Sequence, residues 1–90
     1  MAAYVYILRC GDGSLYTGWT NDLEARLAVH QSGKGAKYTR GRGPLILVYY
    51  EETPDKESAL KREYALKQLT HQQKEELLVT YAKQQELTTK

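Results

Sequence analysis

The alternation of apolar and polar positions divides the chain into predicted strands joined by turns. Tyr4 to Cys10 is rich in aromatic and β-branched residues and predicts a β-strand. Gly11-Asp12-Gly13 is typical of a turn, and Leu15 to Trp19 predicts the returning strand of a hairpin. A third apolar run, Leu45 to Tyr50, has the density of a strand buried on both faces, which predicts the centre of a sheet.

The first predicted helix begins directly after this hairpin. Asn21 to Glu24 fits a capping box, in which Asn21 caps the helix and Glu24 reaches back to it. Gly33 can end the helix in a left-handed conformation. The apolar positions expected to face the core are Leu23, Leu27 and Val29.

Two more helices are predicted in the second half of the chain. Thr53-Pro54-Asp55 opens the first of them, with the proline where its missing N–H is tolerated, and the helix runs to about Leu69. Thr70 to Gln73 fits another capping box and begins the last helix, and a polar tail follows Gln85. The order β-β-α-β-α-α predicts a single α+β domain. The apolar face of the last helix carries Leu77, Leu78 and Tyr81.

Composition narrows the class of protein. The 90 residues are 41% hydrophobic and 27% charged, which is typical of one globular domain, and the net charge of +2 does not by itself indicate a nucleic-acid partner. No basic leader precedes Tyr4, and the apolar run there is too short for a signal sequence or a membrane span. Cys10 is the only cysteine, which excludes an internal disulfide and a thiolate metal cluster. We therefore expect a cytoplasmic protein with no membrane contact and with Cys10 half-buried in the first strand.

Glu63 is the carboxylate most in need of a partner. At about 100° per residue it falls between Ala59 and Leu60, on or beside the apolar stripe of its helix, where an unpaired charge is costly. One candidate partner is a divalent cation such as Mg²⁺, which one or two carboxylates hold together with water and substrate phosphate. The other is a structural ion pair with Arg26 or Arg62. The glutamates expected to face solvent are Glu51, Glu52, Glu57, Glu75 and Glu76.

Arg26 and His30 stand four positions apart and share a face of the first helix. A planar guanidinium suits bidentate contact to a phosphate, and a neutral imidazole can accept a proton near pH 7. Taken alone, each residue is better explained as part of an ordinary helix. Arg26 would then be a solvated arginine and His30 a helix-end residue favoured by the dipole.

The aromatic residues are unusual in kind. The chain has eight tyrosines and no phenylalanine, although phenylalanine fills a core without needing a hydrogen-bond partner. Most of these tyrosines are expected to be core aromatics with wet hydroxyls. The two candidates for chemistry are Tyr6 and Tyr16, which lie on the two strands of the hairpin.

The length of the hairpin loop decides whether these two tyrosines can serve one site. Local turn propensity favours a two-residue Asp12-Gly13 turn, which sends Tyr6 and Tyr16 to opposite faces of the sheet. A three-residue loop with Gly13 left-handed instead places Tyr6 opposite Gly18 and puts both tyrosines on one face. We predict the three-residue loop, with Arg26, His30 and Glu63 meeting the same face.

The segment from Ser32 to Gly43 is basic and contains no acidic residue. Cations spaced by glycine suit backbone phosphates, and an aromatic ring can stack on a base, so a nucleic-acid contact is predicted here. A solvated flexible loop is the alternative. The residues predicted to bind nucleic acid are Lys34, Lys37, Tyr38, Arg40 and Arg42. The helix residues that either extend this surface or serve only solubility are Lys61, Arg62 and Lys67.

Taken in order, these residues resemble the GIY-YIG nuclease superfamily over about residues 3–69. Tyr4-Val5-Tyr6 stands at the position of the GIY signature, and Tyr16-Thr17-Gly18 at that of the YIG signature. Arg26 and His30 follow in the next helix and Glu63 in a later one, in the order of the family. Each match is weak alone, but the ordered set is specific.

The chain is most similar to a small stand-alone bacterial branch of that superfamily, close to the catalytic domain of Slx-type endonucleases. The segment from Gly35 to Arg40 is characteristic of this branch. Two features depart from the family pattern. Tyr4-Val5 replaces Gly-Ile, and the asparagine that many members have after the metal-binding glutamate is absent, since Asn21 is the only asparagine.

The resemblance implies a three-stranded antiparallel sheet flanked by helices, and hydrolysis of DNA with one divalent metal ion, Mg²⁺ or Mn²⁺. It implies that Tyr6 takes a proton from the attacking water, with Tyr16 beside it. Arg26 would steady the scissile phosphate, and His30 would relay or accept the tyrosine proton. Glu63 would hold the metal that stabilises the leaving oxygen.

We therefore predict a metal-dependent DNA endonuclease that is structure-selective or weakly specific and acts in DNA repair or recombination. Branched, flap or single-stranded DNA are the expected substrates, RNA is an alternative substrate, and a protein partner would supply targeting. Two other functions remain as alternatives. One is a nucleic-acid-binding module with the nuclease fold and little or no cleavage, and the other is a protein-interaction domain that uses its last helix. The residues that favour the enzyme are Tyr6, Arg26, His30 and Glu63.

Overall fold

A computed structural model describes residues 2–32 and 43–88 of the chain, with side chains as far as residue 84. It confirms the order β-β-α-β-α-α and the α+β class. Within these two ranges, no helix is long and apolar enough to cross a membrane. The elements are β1 (Ala3–Arg9), β2 (Leu15–Thr20), α1 (Leu23–Gln31), β3 (Ile46–Thr53), α2 (Lys56–Lys67) and α3 (His71–Thr88).

A three-residue loop joins β1 to β2 and fixes their register. The Cys10 N–H donates to the Ser14 carbonyl at 2.8 Å, and the Gly13 N–H donates to the Cys10 carbonyl at 2.9 Å. Gly13 has φ of +86°, in the left-handed region that glycine adopts most easily. The hairpin therefore places Tyr6 opposite Gly18, and the prediction of a three-residue loop is confirmed.

The sheet has the order β2-β1-β3, with β1 paired antiparallel to both neighbours. The prediction that Leu45 to Tyr50 forms the central strand is wrong, because β3 is an edge strand and its Ile46 is 55% exposed. A run of apolar residues indicates burial, but it does not say which strand is paired on both sides. The central position belongs to β1, where the four successive side chains from Val5 to Leu8 are buried.

Side chains of β1 alternate between the two faces of the sheet, so each face carries its own core. On one face, Val5 and Ile7 pack with Ala59 and Leu66 of α2 and with Leu78 of α3. This larger core anchors the two C-terminal helices to the sheet.

α1 covers the opposite face, where Leu23 and Leu27 pack as predicted. Val29 is exposed, contrary to expectation, because it lies two residues after Leu27 and hence about 200° around the helix. Cys10 is fully buried rather than half-buried, since it follows β1 directly and belongs to this second core. The buried residues of the second core are Tyr6, Leu8, Cys10 and Leu45.

The first two helices begin with aspartate caps. Asp22, not Asn21, caps α1, and its carboxylate accepts a hydrogen bond from a first-turn N–H at 3.1 Å. Asp55 caps α2 in the same way through the Ser58 N–H at 2.8 Å. Pro54 consequently lies before the cap and not in the first turn. Both caps satisfy N–H groups that a helix start leaves without partners.

The start of α3 is the capping box that the sequence predicts. The Thr70 N–H donates to the side-chain oxygen of Gln73 at 2.9 Å, and the Gln73 N–H donates to the Thr70 hydroxyl at 3.1 Å. α2 ends at Lys67, slightly earlier than expected. Ser32 stands at the end of α1 in a right-handed conformation, and the proposed cap Gly33 lies outside the described residues.

An ion pair joins α3 to the end of β1. The two terminal nitrogens of Arg9 donate to the two carboxylate oxygens of Glu75 at 2.8 and 2.7 Å, a bidentate geometry. His71 lies 3.0 Å from the same carboxylate. The prediction that Glu75 merely faces solvent is therefore wrong, because folding brings it a partner 66 positions earlier in the chain. The hydrogen bond from Arg9 is the main cause that lowers the pKa of Glu75 from 4.5 to about 2.

We expect Glu75→Gln to lower the melting temperature at neutral pH and to lose this effect in acid. Because the pKa of Glu75 is about 2 in the folded chain, against 4.5 without its partner, the unfolded state binds the proton more readily. The ion pair then stabilises the fold fully above pH 4.5 and loses its contribution as the pH falls toward about 2. Thermal melts of wild type and E75Q over this range measure the effect. Glu76→Gln, at the exposed neighbouring position, is the control. A difference between wild type and E75Q that persists undiminished in acid would contradict this account.

Candidate active site

Tyr6 and Tyr16 extend from the sheet face that α1 covers, and their ring centroids lie 6.4 Å apart. Gly18 leaves room for them. A β-carbon at that position would stand 2.8 Å from Tyr6 Oη and 3.1 Å from Tyr16 Cε2. Any side chain at position 18 would therefore displace the Tyr6 hydroxyl. This close contact explains why a glycine stands in the middle of β2.

His30 reaches this pair of tyrosines from the last turn of α1. Its Nε2 lies 2.9 Å from the Tyr6 hydroxyl, and the histidine side chain is buried, with 2% of the residue exposed. The imidazole meets both rings edge-on, with centroid distances of 5.8 Å to Tyr6 and 5.5 Å to Tyr16. The three aromatic rings thus form one packed cluster, in which the Tyr6 hydroxyl meets Nε2 of His30.

Arg26, one turn before His30, sets the charge of this cluster. Burial is the main cause that raises the pKa of Tyr6 above its ordinary value of 10.0, whereas a hydrogen bond from Arg26 acts in the opposite direction. Burial, followed by the positive charge of Arg26, lowers the pKa of His30 below 6.5. At neutral pH the site therefore holds a neutral phenol, a neutral imidazole and a guanidinium cation.

Glu63 approaches the same cluster from α2, with 17% of its side chain exposed. Its charge acts on the Tyr6 hydroxyl, although less strongly than burial and Arg26 do. The carboxylate lies 3.5 Å from Nζ of Lys67, one turn further along the helix. α2 packs against the sheet face opposite the one that Tyr6 and α1 share, so the meeting of Glu63 with Tyr6, Arg26 and His30 in a single site stays a prediction.

The ion pair that the sequence offered as the alternative role for Glu63 is not formed among the described residues. Arg62 binds Glu51 instead, with its Nε 3.0 Å from the carboxylate. Glu51 also accepts a hydrogen bond from the Tyr49 hydroxyl, so the expectation that this glutamate only faces solvent is wrong. Glu51 has these partners because β3 brings it beside α2, which the sequence pattern could not reveal.

The donor set around Glu63 fits only certain metals. Among the side chains of residues 2–32 and 43–84, no group of three histidine, cysteine, aspartate or glutamate residues could hold a metal ion. A structural zinc site needs four such ligands, and the described residues do not provide it. Mg²⁺ is usually held by one or two carboxylates, with water and substrate phosphate completing its shell, and a single glutamate fits that requirement.

The basic segment lies beyond the described residues, so its predicted contacts stay predictions. These contacts involve Lys34, Lys37, Tyr38, Arg40 and Arg42.

We expect the His30 imidazole to protonate below pH 6.5 in an NMR titration. Its burial and the nearby Arg26 both disfavour the charged form, so both lower the pKa of His30. The unfolded chain then binds the proton more readily, so this residue destabilises the fold as the pH falls below 6.5. Protonation of His30 at or above pH 6.5 would show that the imidazole is not held in this buried pocket.

Comparison with known proteins identifies the family of the chain. A family model described as the GIY-YIG catalytic domain matches residues 2–76. A UPF0213 protein from Clostridium perfringens is 60% identical over 75 residues, which cover 83% of this chain and 81% of the relative. A UPF0213 protein from Halalkalibacterium halodurans is 52% identical over 90 residues, which cover all of this chain and 96% of the relative.

Solved structures give the same result for the fold. The solution NMR structure of a UPF0213 protein from Bacillus halodurans has a TM-score of 0.59 at 54% identity, covering 89% of this chain and 85% of its own. The solution NMR structure of a protein from E. faecalis has a TM-score of 0.62 at 44% identity, covering 91% of this chain and 88% of its own. With the family model spanning most of its length, the chain belongs to the GIY-YIG family of nucleases.

Proposed function

We propose that this protein is a metal-dependent endonuclease that hydrolyses DNA phosphodiester bonds and is structure-selective or weakly specific. Membership of a nuclease family supports the reaction class and DNA as the substrate. The observation that carries the proposal is the 2.9 Å hydrogen bond between the Tyr6 hydroxyl and Nε2 of His30. It joins, within one buried cluster, a group that can receive a proton from water and a group that can store it. The proposed active-site residues are Tyr6, Tyr16, Arg26, His30 and Glu63.

In this proposal Tyr6 carries a proton without becoming a stable anion. Burial raises the pKa of Tyr6 above 10.0, so the phenol is protonated at neutral pH. As the phenolic oxygen takes a proton from the attacking water, the phenol passes its own proton to Nε2 of His30. The imidazole must hold its hydrogen on Nδ1 before the transfer, which leaves Nε2 free to accept. Tyr6 is then neutral before and after the step, and His30 ends as the cation.

Arg26 would bind the phosphate, and Tyr16 would hold the rings of the cluster in position. The guanidinium has five N–H donors, so Arg26 can bind the Tyr6 hydroxyl and a phosphate oxygen at the same time. A fixed cation at this place stabilises the negative charge that grows on the phosphate as the water attacks. Tyr16 packs on both Tyr6 and His30 and holds their rings in position.

Glu63 is the residue that would hold the divalent metal ion, Mg²⁺ or Mn²⁺. Its present partner is Lys67, a half-exposed side chain whose Nζ lies 3.5 Å from the Glu63 carboxylate. A doubly charged cation can replace this ammonium group. Bound there, the metal would stabilise the charge that develops on the leaving oxygen. The remaining ligands would be water and the phosphate itself.

A module that binds nucleic acid without cutting it would need only a cationic surface. It would not need a buried tyrosine that hydrogen-bonds to a neutral histidine, or an acidic side chain acting on the same hydroxyl. These features favour the enzyme. Branched, flap and single-stranded DNA, which arise in repair and recombination, are the substrates to test first.

We expect Glu63→Gln to abolish metal-dependent cleavage while the protein stays folded. Loss of one electrostatic stabiliser of the transition state typically slows a reaction on the order of 10²–10³-fold. The lost ion pair with Lys67 joins positions one turn apart on a helix and is worth only about 0.3–0.5 kcal/mol. Cleavage of labelled flap, branched, nicked and single-stranded DNA with Mg²⁺, Mn²⁺ or EDTA measures the effect. Glu57→Gln, on the exposed first turn of the same helix, is the matched control.

Melting curves of E63Q and Lys67→Gln separate the metal role from a structural role. Both variants lose the same ion pair and should melt close to the wild type. If E63Q melts much earlier than the wild type while cleavage survives, Glu63 is a structural residue and the metal assignment is wrong.

The basic segment is expected to provide much of the DNA affinity. Replacing Lys37, Arg40 and Arg42 together with alanine should weaken binding and flatten its salt dependence by roughly 0.7–0.9 units of log–log slope per lost phosphate contact. Fluorescence anisotropy in EDTA over a range of salt concentrations measures both. An unchanged slope would leave the segment as a solvated loop without a role in binding.

A further inference from the structure

A cleft opens at the outer edge of β2, next to Tyr16 of the proposed active site. Its volume is about 360 Å³. β2 is an edge strand, so this side of the strand has no neighbouring strand in the described sheet. The cleft reaches from β2 to the last turn of α2 and the first turns of α3. Its lining residues are Leu15, Tyr16, Thr17, Lys67 and Lys74.

Lys74 brings to the cleft a positive charge that no carboxylate among the described residues balances. Lys74 is half-buried, and neither range of the described chain supplies a carboxylate within salt-bridge distance of it. Its neighbour Glu75 is turned away and holds Arg9 in a bidentate ion pair. Burial and then the positive charge of Lys67 lower the pKa of Lys74. The Lys67 ammonium, although paired with Glu63, acts on Lys74 across this cleft, and an anion between the two lysines would relieve their repulsion.

A buried hydroxyl in the wall of the cleft also lacks a partner. Thr17 is only 3% exposed, and its Oγ1 makes no hydrogen bond to any residue that the structure describes. This hydroxyl is closed off from solvent, so the two lysines are the groups in this cleft that a phosphate oxygen can reach.

Two contacts join this cleft to the proposed active site. Tyr16 lines the cleft and packs against His30 with its ring centroid 5.5 Å away. Lys67 lines the cleft and lies 3.5 Å from Glu63, the proposed metal ligand. An anion in the cleft would therefore lie close to the phosphate that the active site attacks.

We propose that the cleft between Lys67, Lys74 and the β2 edge is a second phosphate subsite, which binds a phosphate of the same DNA strand next to the scissile one. This inference rests on the proposed nuclease function. A strand held at two successive phosphates cannot rotate about the scissile phosphate, so the subsite would fix the direction in which the strand crosses the active site.

The first test is the salt dependence of DNA binding, measured in EDTA so that no cleavage occurs. Lys74→Gln keeps most of the side-chain stem and removes the charge. Its log–log slope should be less steep than that of the wild type by about 0.7 for single-stranded DNA or about 0.9 for duplex DNA. Lys83→Gln, at an exposed position of the same helix, is the matched control and should keep the wild-type slope. If Lys74→Gln unfolds, Lys67→Gln provides the same comparison on α2, with Lys83→Gln again as the control.

The second test locates the contact. Single phosphates on either side of the cleaved bond are replaced, one at a time, by neutral methylphosphonate. One of these replacements should weaken DNA binding by the wild type and by K83Q. The same replacement should leave DNA binding by K74Q unchanged, because K74Q has already lost that contact. A K74Q protein that keeps the slope of K83Q and remains equally sensitive to every replacement would overturn the subsite.

The two proposals fail in different ways. Cleavage by the wild type together with an unchanged slope in K74Q would overturn the subsite and leave the nuclease intact. A reduced slope in K74Q without cleavage by the wild type under any metal condition would support the phosphate contact and overturn the nuclease.

Discussion

The register of the β1–β2 hairpin is the constraint on which the site depends. The loop Gly11–Gly13, with Gly13 at a φ of +86°, places Tyr6 opposite Gly18 and so leaves space above the glycine for the phenol. A slip by one residue would move every side chain of one strand to the other face of the sheet. The two tyrosines would then separate, and His30 would lose its partner. One left-handed glycine thus fixes which side chains meet α1 and which meet α2 and α3.

Burial shifts the pKa values at the two ends of the central hydrogen bond in opposite directions, and both shifts keep the two groups neutral at rest. It raises the pKa of Tyr6 and lowers the pKa of His30, so both groups are neutral near pH 7. A neutral phenol beside a neutral imidazole can pass a proton along without forming a stable tyrosinate in a buried place. The same burial that stabilises the fold therefore keeps Tyr6 and His30 neutral at rest. The positive charge of Arg26 acts against burial at Tyr6, where it favours loss of the phenolic proton.

Features that depend on neighbouring residues could be predicted from the sequence, and features that depend on distant partners could not. The three-residue loop is an exception, since local turn propensity favoured the shorter turn and the loop was predicted only because Tyr6 and Tyr16 had to share one face. The order of the candidate site residues along the chain could be recognised because it matches the order of the family motifs. The edge position of β3 was not, since apolar density does not reveal which strand pairs on both sides. Glu75 and Lys74 stand side by side on α3, yet one binds Arg9 and the other lines a cleft at β2. Only the packing of α3 against the sheet distinguishes them.

The central claim is that Tyr6 passes a proton to neutral His30, and the pH dependence of single-turnover cleavage tests it most directly. With saturating metal and DNA, the rate should rise with pH through one ionisation below 6.5, where His30 loses its proton, and should then stay level to about pH 9. If a pre-formed tyrosinate were the base, the rate would instead keep rising about tenfold per pH unit through neutral pH toward the raised pKa of Tyr6. A level rate above pH 7 supports the account, and a continued rise contradicts it.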